Sequence, residues 1–404
     1  MKTNYDILII GGGAAGFFTA INAAAFNPDL KIAILERGKE VLQKVKISGG
    51  GRCNVTHACF DPKELTQYYP RGAKELLGPF HQFSCGDTFE WFDQRNIPLK
   101  IEEDGRVFPE SNTSQTIVDC FLNEAEKHHI DILKSQGVID FYKEDDNWII
   151  QTKTHQFTSA KLVIACGSSN KIWKLLEKNG HRIIPPTPSL FTFNSKDERL
   201  QDIPGVVIQN TEIEVIDTKL CSDGPILITH WGLSAPAILK LSAWGSKILA
   251  ERNYKFDIKI NFIGYAVENC REELNTLKKS LAKKSVFKYN QFNLPKRLWY
   301  KLVFAAGITE TTKWADLNKN QLNALASQLT EAIFNIDGKS TFKEEFVTAG
   351  GVALKEINFK KMESKIQSNL FFAGEVINID AVTGGFNFQN AWTTGYLVAK
   401  AIGG

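Results

Sequence analysis

The sequence predicts an α/β protein in which one parallel sheet is assembled from both ends of a 404-residue chain around a separate insert. Three observations predict it. Sixteen of the thirty glycines lie in residues 1–51 and 350–404, and glycine gathers where backbone must approach something closely or turn tightly. The first 36 residues read as strand, glycine turn, helix, strand and acid. Beyond about residue 190 the pattern changes to short alternating apolar runs, the mark of antiparallel strands. The length fits two or three units of ordinary size. A composition 43% hydrophobic and 23% charged excludes a disordered chain, and a net charge of +3 argues against a chain that is basic all over and binds nucleic acid for that reason.

Residues 5–10 (YDILII) form a branched apolar run suited to a parallel strand buried on both faces. Gly11-Gly12-Gly13-Ala14-Ala15-Gly16 follows, then an alanine- and phenylalanine-rich helix over 17–26. A second strand over 31–35 ends at Glu36, twenty residues past Gly16. This is the Rossmann dinucleotide fingerprint. Gly11 permits the turn, Gly13 lets backbone approach a pyrophosphate, and Gly16 lets the helix pack against the strand. The helix N-terminus offers free N–H groups. Glu36 accepts from ribose hydroxyls, so Gly11, Gly13, Ala14, Ala15, Gly16, Glu36 and its neighbour Arg37 are expected cofactor contacts. The same region is uncharged from 7 to 26, long enough to be mistaken for a membrane span. The triple glycine splits it, so it reads as part of a soluble, cytoplasmic protein without a membrane partner.

Four further features point to FAD. A second glycine loop, Ser48-Gly49-Gly50-Gly51-Arg52-Cys53-Asn54, lies about ten residues beyond Glu36 and can hold the far half of a long cofactor. Ser48, Gly50, Arg52, Cys53 and Asn54 are its expected contacts. A strand over 161–165 leads into Cys166-Gly167-Ser168, with Ala165 and Gly167 as contacts. Val138 lies in an expected strand whose backbone can meet an adenine edge. Finally, a strand over 369–373 leads into Gly374-Glu375, then Asp380 and Gly384-Gly385-Phe386-Asn387-Phe388, before a helix expected over 390–402. Gly374, Glu375, Asp380, Gly385, Asn387 and Phe388 complete the expected set. The helix start would favour negative charge on a reduced flavin.

On these residues the chain resembles the BaiN/aminoacetone-oxidase-like flavoproteins. The carrying motifs are GGGAAG at 11–16, ISGGGRCNVT at 47–56, THWGLSAPAILKLS at 229–242, FVTAGGVALKEIN at 346–358, MESK at 362–365 and NLFFAGEV…TGGFNFQNAW at 369–392. Ile377-Asn378, Ala381 and Trp231 depart from the usual residues. The resemblance implies a glutathione-reductase-like FAD domain with an inserted β-barrel-like part and a small helical part. It also implies hydride transfer to or from a small organic substrate, by enone reduction or amine oxidation.

The insert is placed at 190–345, β-rich over about 190–265 and helical over about 268–335, with helices at 268–283 and 319–334. The FAD domain takes 1–189 and 346–404, and Pro185-Pro186-Thr187-Pro188 serves as a rigid connector. Residues 271–301 carry nine basic and two acidic residues. Such a run is usually a solvated face, but it leaves nucleic acid open, and with it the alternative of a flavin-binding RNA-linked or regulatory protein with little turnover. Seven cysteines without CxxC spacing, and histidines without ligand spacing, predict no metal. Candidates for the chemistry are Arg52 as a donor, Cys53 (six positions before Cys59) and His230 as a proton carrier in the 229–234 loop. No second GxGxxG precedes a helix, so NADH or NADPH would act as a transient reductant, with oxygen as the other possible redox partner.

Overall fold

The computed structural model describes residues 2–340 and 347–404. The described chain divides into two units, one built from residues up to Thr187 and again from Val347, the other beginning at Pro188. The expected return boundary at 345/346, with Phe346, lies outside the described residues.

The first unit is built on five parallel strands. In chain order these elements are β1 (Lys2–Ile10), α1 (Ala14–Phe26), β2 (Ile32–Leu35), α2 (Gln43–Gly51), β3 (Asp131–Leu133), β4 (Val138–Glu144), β5 (Asn147–Thr152), β6 (Gln156–Ile164), β7 (Leu370–Phe372) and α3 (Phe386–Gly403). The parallel order across the sheet is β7, β6, β1, β2, β3. β4 and β5 form an antiparallel hairpin laid against the first half of β6. β1 and β2 are buried on both faces, as their unbroken Ile and Leu runs require.

Helices α1 and α3 come from distant parts of the chain and pack face to face. Their seam explains the alanines of α1. A Cβ on Gly395 would lie 3.1 Å from Thr19 Oγ1, and one on Gly403 would lie 2.7 Å from the Ala23 carbonyl oxygen. Small residues four apart on α1 meet glycines eight apart on α3, so the helices approach closely. α3 begins at Phe386, four residues before the expected start. Gly385 is its N-cap, so the glycine pair belongs to the helix start itself.

The second unit carries seven antiparallel strands. Their order is Ala332–Asp337, Lys255–Asn261, Val207–Val215, Cys221–Thr229, Gly232–Ser234, Thr192–Asn194, Lys339–Ser340. The two edge strands are consecutive in sequence, separated by Gly338 alone. The Asn194 N–H donates to the Gly338 carbonyl at 3.0 Å. The sheet therefore curls until its edges meet, as a barrel does. Helices Val267–Ser280, Lys296–Ala305 and Lys319–Thr330 complete this unit around fully buried Trp299 and Trp314.

Several expected elements are corrected. Two runs near 206–216 form one strand with a bulge between Ile208 and Thr211. The helix expected over 319–334 stops at Thr330, and Ala332 begins a strand whose residues alternate buried and exposed. Helices Pro236–Trp244 and Lys296–Ala305 were not anticipated. The proline-rich connector lies in a strand, Ile183–Ser189, paired among the described residues with Val347–Val352 alone, an edge position where proline's missing N–H is tolerated.

Candidate functional site

The glycine turn after β1 distributes three tasks. A Cβ on Gly11 would fall 2.5 Å from the Ala165 carbonyl oxygen, and one on Gly16 would fall 2.0 Å from the Gly11 carbonyl oxygen. Gly11 thus lets β1 turn against the end of β6, and Gly16 seats α1 on the turn. Gly13 differs, because nothing lies within 4 Å of where its Cβ would be. It caps α1 without a side-chain partner, and the first turn holds no acid. The space beside Gly13 at the helix start is open, and Ala14 and Ala15 add little bulk there.

Glu36 closes this turn. Its Oε2 accepts from the Gly12 N–H at 2.9 Å and its Oε1 from the Gly38 N–H at 2.7 Å. The carboxylate is half-buried, whereas Arg37 is exposed. The Gln136 N–H donates to the Glu36 carbonyl at 2.8 Å and the Ser135 N–H to the Gly38 carbonyl at 2.9 Å. This brings Val138, at the start of β4, beside the Glu36 loop.

The second glycine loop is the distorted end of α2. Ser48 leaves helical geometry, and Gly49, Gly50 and Gly51 are left-handed with φ of +57°, +68° and +83°, a run that side chains would strain. Gly50 and Gly51 face open space. With its amide turned so that oxygen faces the donor and nitrogen the acceptors, Asn54 ties the loop to α3: Oδ1 then accepts from the Gly385 N–H at 3.0 Å, and Nδ2 donates to the Thr56 and Val107 carbonyls at 3.0 and 3.2 Å. The Trp392 indole N–H donates to the Val55 carbonyl at 2.8 Å, and Thr56 Oγ1 donates to Gln389 Oε1 at 2.6 Å. The glycine loops near residues 50 and 385 are thus one construction.

Residues 165–167 and 374–375 border the same turn. The Gly374 N–H donates to Thr394 Oγ1 at 2.9 Å, and Glu375 pairs with Lys44 at 2.9 Å beside Gly167. Other expected contacts have different tasks. Asp380 is fully buried and both its oxygens receive the Arg71 guanidinium, so it anchors the loop before α3. The Asn387 amide both donates to and accepts from the Ala381 backbone, and Phe388 stacks on Trp392. These two shape the helix start.

The chemical candidates separate in the same way. Arg52 pairs with Glu102 at 2.6 Å and lies 3.9 Å over the Phe108 ring, the ion-pair arrangement. Cys53 is wholly buried, and burial pushes its thiol up to about 12, while burial raises Cys59 to about 11. Both are free thiols, and neither is a thiolate near neutrality. His230 is exposed on the turn between two barrel strands of the second unit. Among the described residues no group of three His, Cys, Asp or Glu could hold a metal, and no helix is long and apolar enough to cross a membrane.

Sequence reasoning missed Arg71 and His57. Arg71 supplies the buried countercharge to Asp380, and no local motif marks it. His57 Nδ1 sits 3.1 Å from the Gly384 carbonyl oxygen, and its ring lies 4.5 Å from that of Phe386. Its position directly after the 47–56 motif was the available signal. Burial holds its imidazole below the ordinary range.

The residues present fit FAD. The open space at Gly13, Gly50 and Gly51, two uncapped helix starts and a carboxylate held at the end of β2 suit a long anionic dinucleotide. Comparison with known proteins agrees. The family model described as HI0933-like protein Rossmann domain matches residues 5–401. A ribosomal RNA dihydrouridine synthase of Haemophilus influenzae is 28% identical, covering 100% of this chain and 99% of that protein. A 3-dehydro-bile acid delta(4,6)-reductase of Clostridium scindens is 24% identical, covering 97% and 98%. The solved 3-ketosteroid-Δ4-(5α)-dehydrogenase of Rhodococcus jostii matches with a TM-score of 0.51 at 10% identity, covering 98% of this chain and 97% of that one. That last likeness concerns the fold alone.

Proposed function

The chain belongs to the HI0933-like Rossmann family of FAD-dependent oxidoreductases, and on that premise we propose that it reduces a carbon–carbon double bond conjugated to a carbonyl, with a uracil ring of ribosomal RNA as substrate. The observation that carries the reading is the double cradle: two uncapped helix starts, at Gly13 and Gly385, joined through Asn54. Two relatives of nearly full length support the choice of bond. One is named for making dihydrouridine and the other for reducing a 4,6-unsaturated 3-dehydro-bile acid, and both names describe saturation of such a bond.

FAD, when bound, would take a hydride from a donor, proposed here to be NADH or NADPH, and pass it to the double bond, whose other carbon takes a proton from solvent. The protein's own residues bind and orient it. The α1 amides and Glu36 would hold the diphosphate and ribose, with Ala165 and Gly167 beside them and Val138 at the adenine edge. Gly50, Asn54 and the α3 amides would hold the flavin end, where the positive end of a helix stabilises negative charge. Burial raises the Cys53 and Cys59 thiols, so neither is a ready thiolate nucleophile near neutrality.

The exposed cations of the second unit favour RNA over a sterol. The second reading, a small apolar enone, rests on the bile-acid reductase relative. The test is anaerobic reduction of the flavin-loaded protein by NADPH or NADH, followed by an unmodified ribosomal RNA transcript or a dienone steroid. Reoxidation by RNA, with two hydrogens gained on a uridine by mass spectrometry, is the expected result. Reoxidation by the steroid alone establishes the second reading. A protein that retains no flavin overturns both.

A further inference from the structure

We propose that a basic surface on the helical part of the second unit, formed by Lys279, Lys283, Lys284, Lys288 and Lys313, docks the phosphate backbone of RNA. The inference rests on the RNA reading above and says where on the protein that RNA is held.

The chain builds this surface from two segments. After helix Val267–Ser280 ends, the backbone runs alongside residues 312–314. Ser285 bridges Lys313, the Val286 N–H donates to the Thr312 carbonyl at 3.1 Å, and the Trp314 N–H donates to the Lys284 carbonyl at 3.0 Å. Lys283, Lys284 and Lys313 are therefore neighbours although about thirty residues separate them in sequence. The base beneath them is rigid: Val286 and Trp314 are fully buried, and the Trp299 indole donates to the Val286 carbonyl at 3.0 Å.

All five lysines are exposed, and none makes an ion pair among the described residues. Barrel lysines of the same unit behave differently, since Lys255 pairs with Asp337 and Lys259 with Glu214. The nearby acids Glu310 and Asp316 are exposed and form no ion pair among the described residues either. Unpaired cations on one surface repel one another, and an anionic chain relieves that repulsion while releasing its own counterions. Tyr289 adds a second feature. Its ring is partly exposed, with Lys284 Nζ 5.1 Å from its centroid, the pairing of cation and stacking platform that suits an unpaired base.

The test is binding of the flavin-loaded full chain to a fluorescent ribosomal RNA stem-loop over a series of salt concentrations. The variant carries Lys279→Gln, Lys283→Gln, Lys284→Gln, Lys288→Gln and Lys313→Gln. A control carries the same charge change in the first unit, at Lys171, Lys174, Lys355, Lys360 and Lys361, which are also exposed. At about 0.7 lost from the logarithmic salt slope per phosphate contact, the variant should lose a slope of about 3 and bind at least ~30-fold more weakly in moderate salt. Its flavin content and nicotinamide-driven bleaching should match the parent, and the control should bind nearly as the parent does. Equal binding and slope in variant and parent would overturn the surface while leaving RNA as substrate. Parent protein that binds no RNA at low salt and reduces none removes the RNA reading itself. Tighter binding to phosphatidylserine vesicles than to RNA, abolished in the variant, would reassign the surface to a membrane.

Discussion

Helices α1 and α3 both begin on an uncapped glycine with no acid in the first turn, yet the two starts are made differently. At the α1 start Gly13 faces open space, and the turn is fixed by backbone: Gly11 against Ala165, Gly16 against Gly11. At the α3 start Gly385 is crowded. A Cβ there would lie 2.4 Å from the Thr56 carbonyl oxygen, and Asn54, His57, Tyr69, Asn387 and the Arg71–Asp380 pair surround it. A ligand site read by backbone alone needs only its own few residues. A site positioned by side chains needs the rest of the unit to be in place.

The difference can be broken most sharply at Gly16. Gly16→Val forces atoms into the Gly11 carbonyl and should cost more than about 3 kcal/mol, so that little folded, yellow protein is recovered. Arg71→Leu should cost about 3–5 kcal/mol by stranding the buried Asp380 carboxylate. Thermal unfolding should show most of that loss returning in Arg71→Leu combined with Asp380→Asn. Gly385→Ala combines a φ of +93° with the Thr56 contact and should cost about 1–3 kcal/mol, read as a lower midpoint and faster flavin loss. Glu36→Ala should lower the midpoint by releasing the Gly12 and Gly38 amides and weaken FAD retention by about 10- to 100-fold, the worth of one or two charged hydrogen bonds; flavin content unchanged after dialysis would remove Glu36 from the site.

The smallest effect is a pH dependence. Burial holds His57 and His181 below the ordinary imidazole range. The unfolded chain therefore binds more protons than the native one below about pH 6.5. Their contribution is complete above that value and lost as pH falls through the lowered folded values. The midpoint should drop by a few degrees between about pH 7.5 and 5.5, and less in His57→Gln.

The contrast also explains what could be read from the residues alone. The α1 start follows from local rules, because turn, dipole and acid all lie within 36 residues, and Gly11 and Gly16 make the tight turn and close helix packing their spacing implies. The α3 start does not. The countercharge of Asp380 is Arg71, about three hundred positions away in sequence, and no local motif announces the pair. Asn387 has the composition of a contact but is occupied by Ala381. The barrel was legible as alternation, yet Lys296–Ala305 was hidden because its aromatic-rich pattern, KRLWYKLVFA, serves a strand as well as a helix. The approach of Lys313 to Lys284 is a product of folding that no count along the chain contains.

The sheet is discontinuous, and this has a consequence for synthesis. Gly13 and Gly385 are about 370 residues apart. At roughly 5–20 residues per second, a ribosome makes the first half of the cradle about 20–70 s before the second. Through that interval α1 lacks the helix that covers its alanine face, while the barrel unit is already complete enough to fold. A nascent chain therefore carries an exposed apolar seam until α3 emerges, and the cofactor can be fully clasped only by a chain translated past residue 403.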